Sequence, residues 1–143
     1  MDEEFNEKFK IYEREIRQIQ EQLRIIEQAI LDINQISLGL DEIKGKKDTE
    51  ILSPIGRGIF VKAKLISDEI TLDVGEGNFV KKSVSETKEI ISEQIKKLEE
   101  MKKNLEGELE KIDKEMTKSI QEYQEKNKGV HEHKHEHKNQ HKH

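Results

Sequence analysis

The sequence of 143 residues contains no cysteine, no tryptophan and only one proline, and aromatic residues make up 4% of it. The absence of cysteine excludes disulfide bonds and thiol chemistry, and it is typical of a cytoplasmic protein. No apolar run approaches the roughly 20 residues that a membrane-spanning helix needs. The acidic start Met1–Phe5 lacks the apolar core of a signal peptide. We therefore expect a cytoplasmic protein that has no membrane partner.

Motifs of catalytic and nucleotide-binding sites are also missing. The sequence contains no Ser-His-Asp or Cys-His set, no phosphate-binding loop and no H-E-x-x-H motif. The glycine pairs at Gly56–Gly58 and Gly75–Gly77 do not open a helix after a strand, so they predict no nucleotide site. The net charge of −5 is spread over both signs without a basic patch, which excludes nucleic acid as an expected partner. The sequence predicts a protein that is not an enzyme and needs no cofactor.

Most of the chain has the composition of a coiled coil, with 40% charged and only 31% hydrophobic residues. Near the start, apolar residues recur at alternating steps of four and three residues, and no proline or glycine interrupts them before Gly39. This heptad pattern predicts a coiled-coil helix over residues 4–44. Its apolar stripe, the first seam, comprises Phe5, Phe9, Tyr12, Ile16, Ile19, Leu23, Ile26, Ile30 and Ile33, followed by Ser37 and Leu40.

A second helix with a similar seam is predicted over residues 84–127. Ser83 or Ser85 can cap its first turn, and the stretch Asn127–Gly129 is expected to end it. Three polar residues make this second seam less regular than the first. The second seam comprises Lys88, Ile91, Ile95, Leu98, Lys102, Leu105, Leu109, Ile112, Met116, Ser119 and Tyr123. The matching lengths favour an antiparallel helical hairpin, and pairing of each helix with a different chain is the alternative.

Between the two helices, residues 50–82 alternate between apolar and polar side chains and are rich in β-branched types. This pattern predicts four strands. They lie near residues 50–55, 58–66, 69–74 and 78–82. Ser67–Glu69 has the composition of a hairpin turn, and Gly56–Gly58 and Gly75–Gly77 supply further turns or bulges. We interpret the segment as two consecutive β-hairpins, which makes the fold class α+β.

Two β-hairpins alone bury little apolar surface and leave their strand edges unpaired. The sequence therefore predicts that this segment is an assembly module, which pairs with the same region of other subunits. The expected assembly residues are Ile59, Val61, Ala63, Leu65, Ile70, Leu72 and Val74.

Residues 130–143 contain all six histidines of the chain. No packed core can be built from this composition, so the segment is predicted to be disordered. Histidines at i, i+2 spacing can chelate Zn²⁺ or Ni²⁺. The candidate metal ligands are His131, His133, His135 and His137. A tail that binds metal weakly and has no selected role is the simpler interpretation.

The central segment contains the motif Leu52-x-Pro54-Ile55-Gly56-x-Gly58-x-Phe60-Val61-Lys62-Ala63-x-Leu65, followed by Val74-Gly75-x-Gly77 and a charged entry into the second helix. In these residues it resembles the prefoldin family, and specifically the archaeal-type alpha class. Two hairpins between the helices also fit the alpha class, because the beta class has one. The resemblance covers roughly residues 5–125 and leaves the histidine-rich tail outside the family pattern.

The resemblance implies an ATP-independent co-chaperone. In that family, two alpha and four beta subunits join their hairpins into β-barrels, from which six coiled coils extend. Non-native polypeptides are held between the coiled-coil tips and passed to a group II chaperonin. The implied client-binding residues at the tip are Phe5, Phe9, Tyr12, Ile120 and Tyr123. Two alternatives are a filament-forming, prefoldin-like structural protein and a metal-binding protein that acts through the histidine-rich tail.

Overall fold

The computed structural model describes the backbone of residues 2–141 and the side chains of residues 3–127. Two long helices enclose four short strands along the chain, so the predicted α+β class is confirmed. The elements are α1 (Asp2–Ile43), β1 (Glu50–Gly56), β2 (Ile59–Lys64), β3 (Ile70–Asp73), β4 (Phe79–Lys82) and α2 (Val84–His141).

The C-terminal bound of α2 differs from the sequence prediction, which placed the helix end at Asn127–Gly129 and a disordered tail over 130–143. Helix α2 continues to His141. A single glycine costs a helix only about 1 kcal/mol relative to alanine, and the lysines and glutamates that follow Gly129 are good helix formers. The glycine is therefore too weak a signal to end this helix.

The burial of the helix side chains confirms both predicted heptad registers. Every residue of the first seam is buried or half-buried, and Ile19, Ile26 and Leu40 are each at most 7% exposed. The second seam is buried or half-buried as well, including its polar members Lys88, Lys102 and Ser119. A lysine can occupy such a slot because its methylene stem packs while its ammonium group stays in water.

The chain divides into two compact units, of which the first comprises residues 1–25 and 101–143. Within this first unit, α1 and α2 run antiparallel. The ring of Phe5 stacks on the ring of Tyr123, whereas Ile19 and Ile112 line one groove further along both helices. As residue numbers rise along α1, from Phe5 to Ile19, the residues of α2 beside them fall in number, from Tyr123 to Ile112. The two helices therefore run in opposite directions.

The second unit comprises residues 26–100 and contains all four strands. Here the last turns of α1 pack against the first turns of α2. Leu40, Val84 and Ile91 form a buried apolar cluster. The Lys88 ammonium group donates a hydrogen bond of 2.5 Å to the carboxylate of Asp41. Because this ion pair is partly exposed, it contributes at most about 1 kcal/mol, and the apolar cluster dominates the packing.

The backbone at the start of α2 distinguishes the two serines that could cap it. The Ser83 hydroxyl accepts a hydrogen bond from the Glu86 amide at 3.0 Å. The Ser83 carbonyl also accepts hydrogen bonds from the amide and hydroxyl of Thr87, at 3.0 and 2.8 Å. Ser83 is therefore the N-cap, and it satisfies amides that would otherwise lack a partner in the helix.

We expect Ser83→Ala to lower the free energy of unfolding of the isolated chain by about 1 kcal/mol, because the Glu86 amide loses its acceptor. Urea denaturation followed by circular dichroism measures this change. Ser85→Ala is the matched control and should leave the free energy of unfolding nearly unchanged. Equal losses in both variants would contradict the assignment of Ser83 as the cap.

Candidate functional site

The four strands form two separate β-hairpins. Strand β1 pairs antiparallel with β2, and β3 pairs antiparallel with β4, each pair forming its own two-stranded sheet. The turns lie at the two predicted glycine pairs, and both use left-handed backbone at three successive residues. The φ angles are +145°, +49° and +79° at Gly56, Arg57 and Gly58, and +125°, +50° and +76° at Gly75, Glu76 and Gly77. Glycine is favoured at such positions because it has no Cβ atom.

The prediction of a hairpin turn at Ser67–Glu69 is wrong. Among the described residues, β2 and β3 are not paired, so this stretch connects the two hairpins instead. It is anchored to the end of α1, since the Asp68 carboxylate accepts a hydrogen bond of 3.2 Å from the Gly45 amide. At its start, the Leu65 amide donates to the Thr49 carbonyl at 2.9 Å. These hydrogen bonds tie the connecting stretch to the segment between α1 and β1.

The first hairpin, residues 50–64, has two faces because side chains alternate along a strand and directly opposed residues share a face. The register places Ser53 opposite Val61 and Pro54 opposite Phe60. We name each face after one of its exposed β2 residues, Val61 or Phe60. The valine face comprises Ile51, Ser53, Ile59, Val61 and Ala63, and the phenylalanine face comprises Glu50, Leu52, Pro54, Phe60, Lys62 and Lys64.

Both faces of the first hairpin expose apolar side chains. On the valine face, Ile59 is 60% exposed and Val61 is 45% exposed. On the phenylalanine face, Leu52 is 65% exposed and Phe60 is 54% exposed. Neither outer edge of this sheet has a further strand beside it among the described residues. Open edges together with exposed apolar surface mark a site of association with other chains.

The second hairpin is attached to the helices more closely than the first. Ile70 of β3 packs against the apolar cluster that Leu40, Val84 and Ile91 form. Leu72 is half-buried, whereas Val74 lies beside the turn and is 63% exposed. Of the predicted assembly residues in this hairpin, Ile70 therefore contributes to the core of its own chain, and Val74 is accessible.

The structure reveals exposed apolar residues that the sequence prediction missed. They are Leu52, Ile55, Phe60, Ile66 and Phe79. The predicted assembly residues of the first hairpin alternate along β2 and therefore lie on one side of the strand. Phe60 is an apolar residue on the other side, which is the signal of a sheet that is covered on both faces.

The predicted client-binding residues lie in the first unit, where we call them the chain-end cluster: Phe5, Phe9, Tyr12, Ile120 and Tyr123. The ring of Phe5 stacks on that of Tyr123, with centroids 4.1 Å apart and planes 15° apart. It also contacts the ring of Phe9, with centroids 6.0 Å apart. All five side chains are half-buried. The cluster is therefore packed on itself in the isolated chain.

Charged side chains surround the chain-end cluster. Its groove is lined by Phe5, Ser119 and Tyr123 together with Glu4, Lys8, Glu122 and Lys126. Further along α1, the Arg24 guanidinium donates two hydrogen bonds to the Glu21 carboxylate, at 2.5 and 3.1 Å. These hydrogen bonds lower the pKa of Glu21, although both groups are fully exposed. The exposed surface of this unit thus presents charges of both signs.

The metal prediction concerns residues outside the described side chains, namely His131, His133, His135 and His137. Within residues 3–127, no group of three or more His, Cys, Asp or Glu side chains is placed to hold a metal ion. Metal binding by the tail therefore stays a prediction. In the described part of the chain, neither helix has a stretch long and apolar enough to cross a membrane.

Comparison with known proteins places these features in a family. The profile of the prefoldin subunit family matches residues 12–129. The chain is 33% identical over 91 residues to prefoldin subunit alpha of Methanobrevibacter smithii, a match that covers 63% of this chain and 62% of that protein. It is 31% identical over 129 residues to prefoldin subunit alpha of Methanococcus vannielii, covering 78% of this chain and 87% of that protein.

A solved structure has the same fold. It is a chain of the filamentous PFD from Methanocaldococcus jannaschii, determined by cryo-EM, with a TM-score of 0.73 and 22% sequence identity. The match covers 82% of this chain and 98% of that chain. The fold, with two long helices that enclose two β-hairpins along the chain, agrees with the family profile. Both agree with the alpha-subunit relatives. The chain belongs to the prefoldin family and is a subunit of its alpha type.

Proposed function

We propose that this chain is the alpha subunit of an ATP-independent co-chaperone in the cytoplasm, built from two alpha-class and four beta-class prefoldin subunits. The observation that carries the proposal is the first hairpin, whose valine face and open strand edges are exposed in the isolated chain. Strands of beta-class subunits would complete this sheet and close it into a β-barrel. Closing the barrel pairs the open strand edges and covers one apolar face.

The chain-end cluster is the proposed site for non-native polypeptides. Its three stacked rings offer apolar surface beside the first turns of α1, and the first turns of a helix open at low cost. Unfolded chains expose apolar segments that can replace the contacts between the rings. Each such contact is weak, so several subunits must hold one client together before it passes to a group II chaperonin.

The proposal is tested by mixing the chain with a beta-class prefoldin subunit and measuring native mass and aggregation of a denatured protein. We expect a complex of defined mass that suppresses aggregation without ATP. A chain that remains monomeric in the mixture would contradict the assembly. A defined complex that leaves aggregation unchanged would contradict client binding alone.

A filament-forming structural protein is the second candidate, because the solved chain of the same fold is a filamentous PFD. The same native-mass measurement separates the two. Filaments of this chain alone would give a broad mass distribution that grows with concentration. A closed assembly with beta-class subunits would give one mass that is independent of concentration.

A further inference from the structure

The phenylalanine face has no role in the proposed assembly. Closing a sheet into a barrel turns one face inward and leaves the other outside. If the valine face lines the interior, Leu52, Pro54 and Phe60 remain on the outer surface. Leu52 and Phe60 are more than half exposed in the isolated chain.

The charges of the first hairpin are concentrated around this apolar patch. Residues 50–64 contain three cations, Arg57, Lys62 and Lys64, and one anion, Glu50, which gives 3 − 1 = +2 in a chain of net charge −5. Lys62 and Lys64 lie on the phenylalanine face itself, opposite Leu52 and Glu50. Neither lysine has an ion-pair partner within 4 Å among the side chains of residues 3–127.

The valine face differs from this arrangement. Its five residues, Ile51, Ser53, Ile59, Val61 and Ala63, carry no charge. An uncharged apolar face suits the interior of a barrel, where an unpaired charge would be costly. An apolar patch rimmed by cations suits a surface that stays in water and binds a partner.

We propose that the phenylalanine face is a docking site for an acidic peptide segment of a partner protein. This inference rests on the proposed assembly, which assigns the other face to the barrel interior. An apolar side chain of the peptide covers Leu52 and Phe60, and its carboxylates meet Lys62 and Lys64. Since the carboxylate contacts lie at the rim, they add selectivity and make binding depend on salt.

The charges also argue against a second copy of the chain as the occupant. Two identical phenylalanine faces that contact each other around a two-fold axis would bring Lys62 and Lys64 close to their own counterparts. Like charges at a contact oppose association. A segment rich in aspartate or glutamate has the complementary sign.

The experiment uses the complex assembled with beta-class subunits and a fluorescein-labelled peptide of alternating aspartate and leucine with one central phenylalanine. Fluorescence anisotropy measures its Kd. The double variant Lys62→Glu, Lys64→Glu should bind at least about tenfold more weakly, because two attractions become repulsions. Phe60→Ser should weaken binding to a similar extent, and higher salt should weaken binding to the unchanged complex.

Two matched controls separate docking from general charge or apolar effects. Lys47→Glu changes an exposed lysine in the turn before β1, and Phe79→Ser changes a phenylalanine of the second hairpin that is also more than half exposed. Both should bind the peptide as the unchanged complex does. A peptide with lysine in place of aspartate should not bind.

Three results would overturn the inference. Equal Kd values for the face variants and the controls would show that the peptide binds elsewhere. Loss of the defined native mass in Phe60→Ser would place this face inside the assembly. Self-association of the complex that Phe60→Ser removes would make a second copy the occupant. Failure of the proposed assembly can be distinguished from failure of this inference. In that case no complex with beta-class subunits forms, even before the peptide is added.

Discussion

We expect Val61→Asp to abolish assembly with beta-class subunits and to leave the isolated chain folded. Val61 is 45% exposed in the isolated chain, so a carboxylate at this position stays in water and costs little there. In the proposed assembly the valine face would be covered, and an unpaired buried carboxylate there would cost several kcal/mol. The same substitution therefore has a small effect on the free energy of unfolding and a large effect on the free energy of association.

Native mass and circular dichroism measure the two quantities separately. Thr71→Asp is the matched control, because Thr71 is an exposed residue of β3 on the side opposite to half-buried Leu72. It should assemble normally. Assembly of Val61→Asp at the normal concentration would show that the valine face is not the covered one. Loss of helicity in the isolated variant would mean that Val61 stabilises the subunit itself.

The double variant Phe5→Ser, Phe9→Ser should lose most of the suppression of aggregation while it still assembles. The two substitutions remove two of the three stacked rings and leave Tyr123 without its stacking partner Phe5. Each lost apolar contact should weaken client binding by about 1–3 kcal/mol. If several subunits hold one client, as proposed, the losses multiply over the assembly.

Light scattering of a denatured protein measures holding, and native mass measures assembly. Ile25→Ser is the matched control, since Ile25 is an isoleucine of α1 that is 56% exposed and lies outside the chain-end cluster. It should keep full holding activity. If the double variant holds clients as well as the control does, the client site lies elsewhere, for example on the beta-class subunits.

The helices and the hairpins were predictable because their signals are periodic and local. Steps of four and three residues identified every buried or half-buried seam position from Phe5 to Leu40. Alternation of period two, together with the two Gly-x-Gly turns, placed all four strands within three residues of their bounds. Such patterns repeat often enough that one misleading residue does not change the outcome.

The errors occurred where distant residues decide the local structure. Ser67–Glu69 has the composition of a tight turn, but the stretch connects the two hairpins. The Asp68 carboxylate accepts a hydrogen bond from the Gly45 amide, which lies 23 residues earlier in the chain. Ile70 alternates like an assembly residue, yet it packs against α1 and α2 of its own chain. The alternation of apolar and polar residues shows on which face of a strand a side chain lies. It does not show whether that face is covered by the same chain or by a partner.

The exposed first hairpin has a consequence for the supply of subunits in the cell. A chain that is made without its partners carries uncovered apolar side chains and open strand edges, which are features of aggregating species. Proteases and chaperones remove such species continuously. If the chain assembles with beta-class subunits as proposed, the supply of those subunits, more than the stability of the single subunit, sets how much of this chain persists.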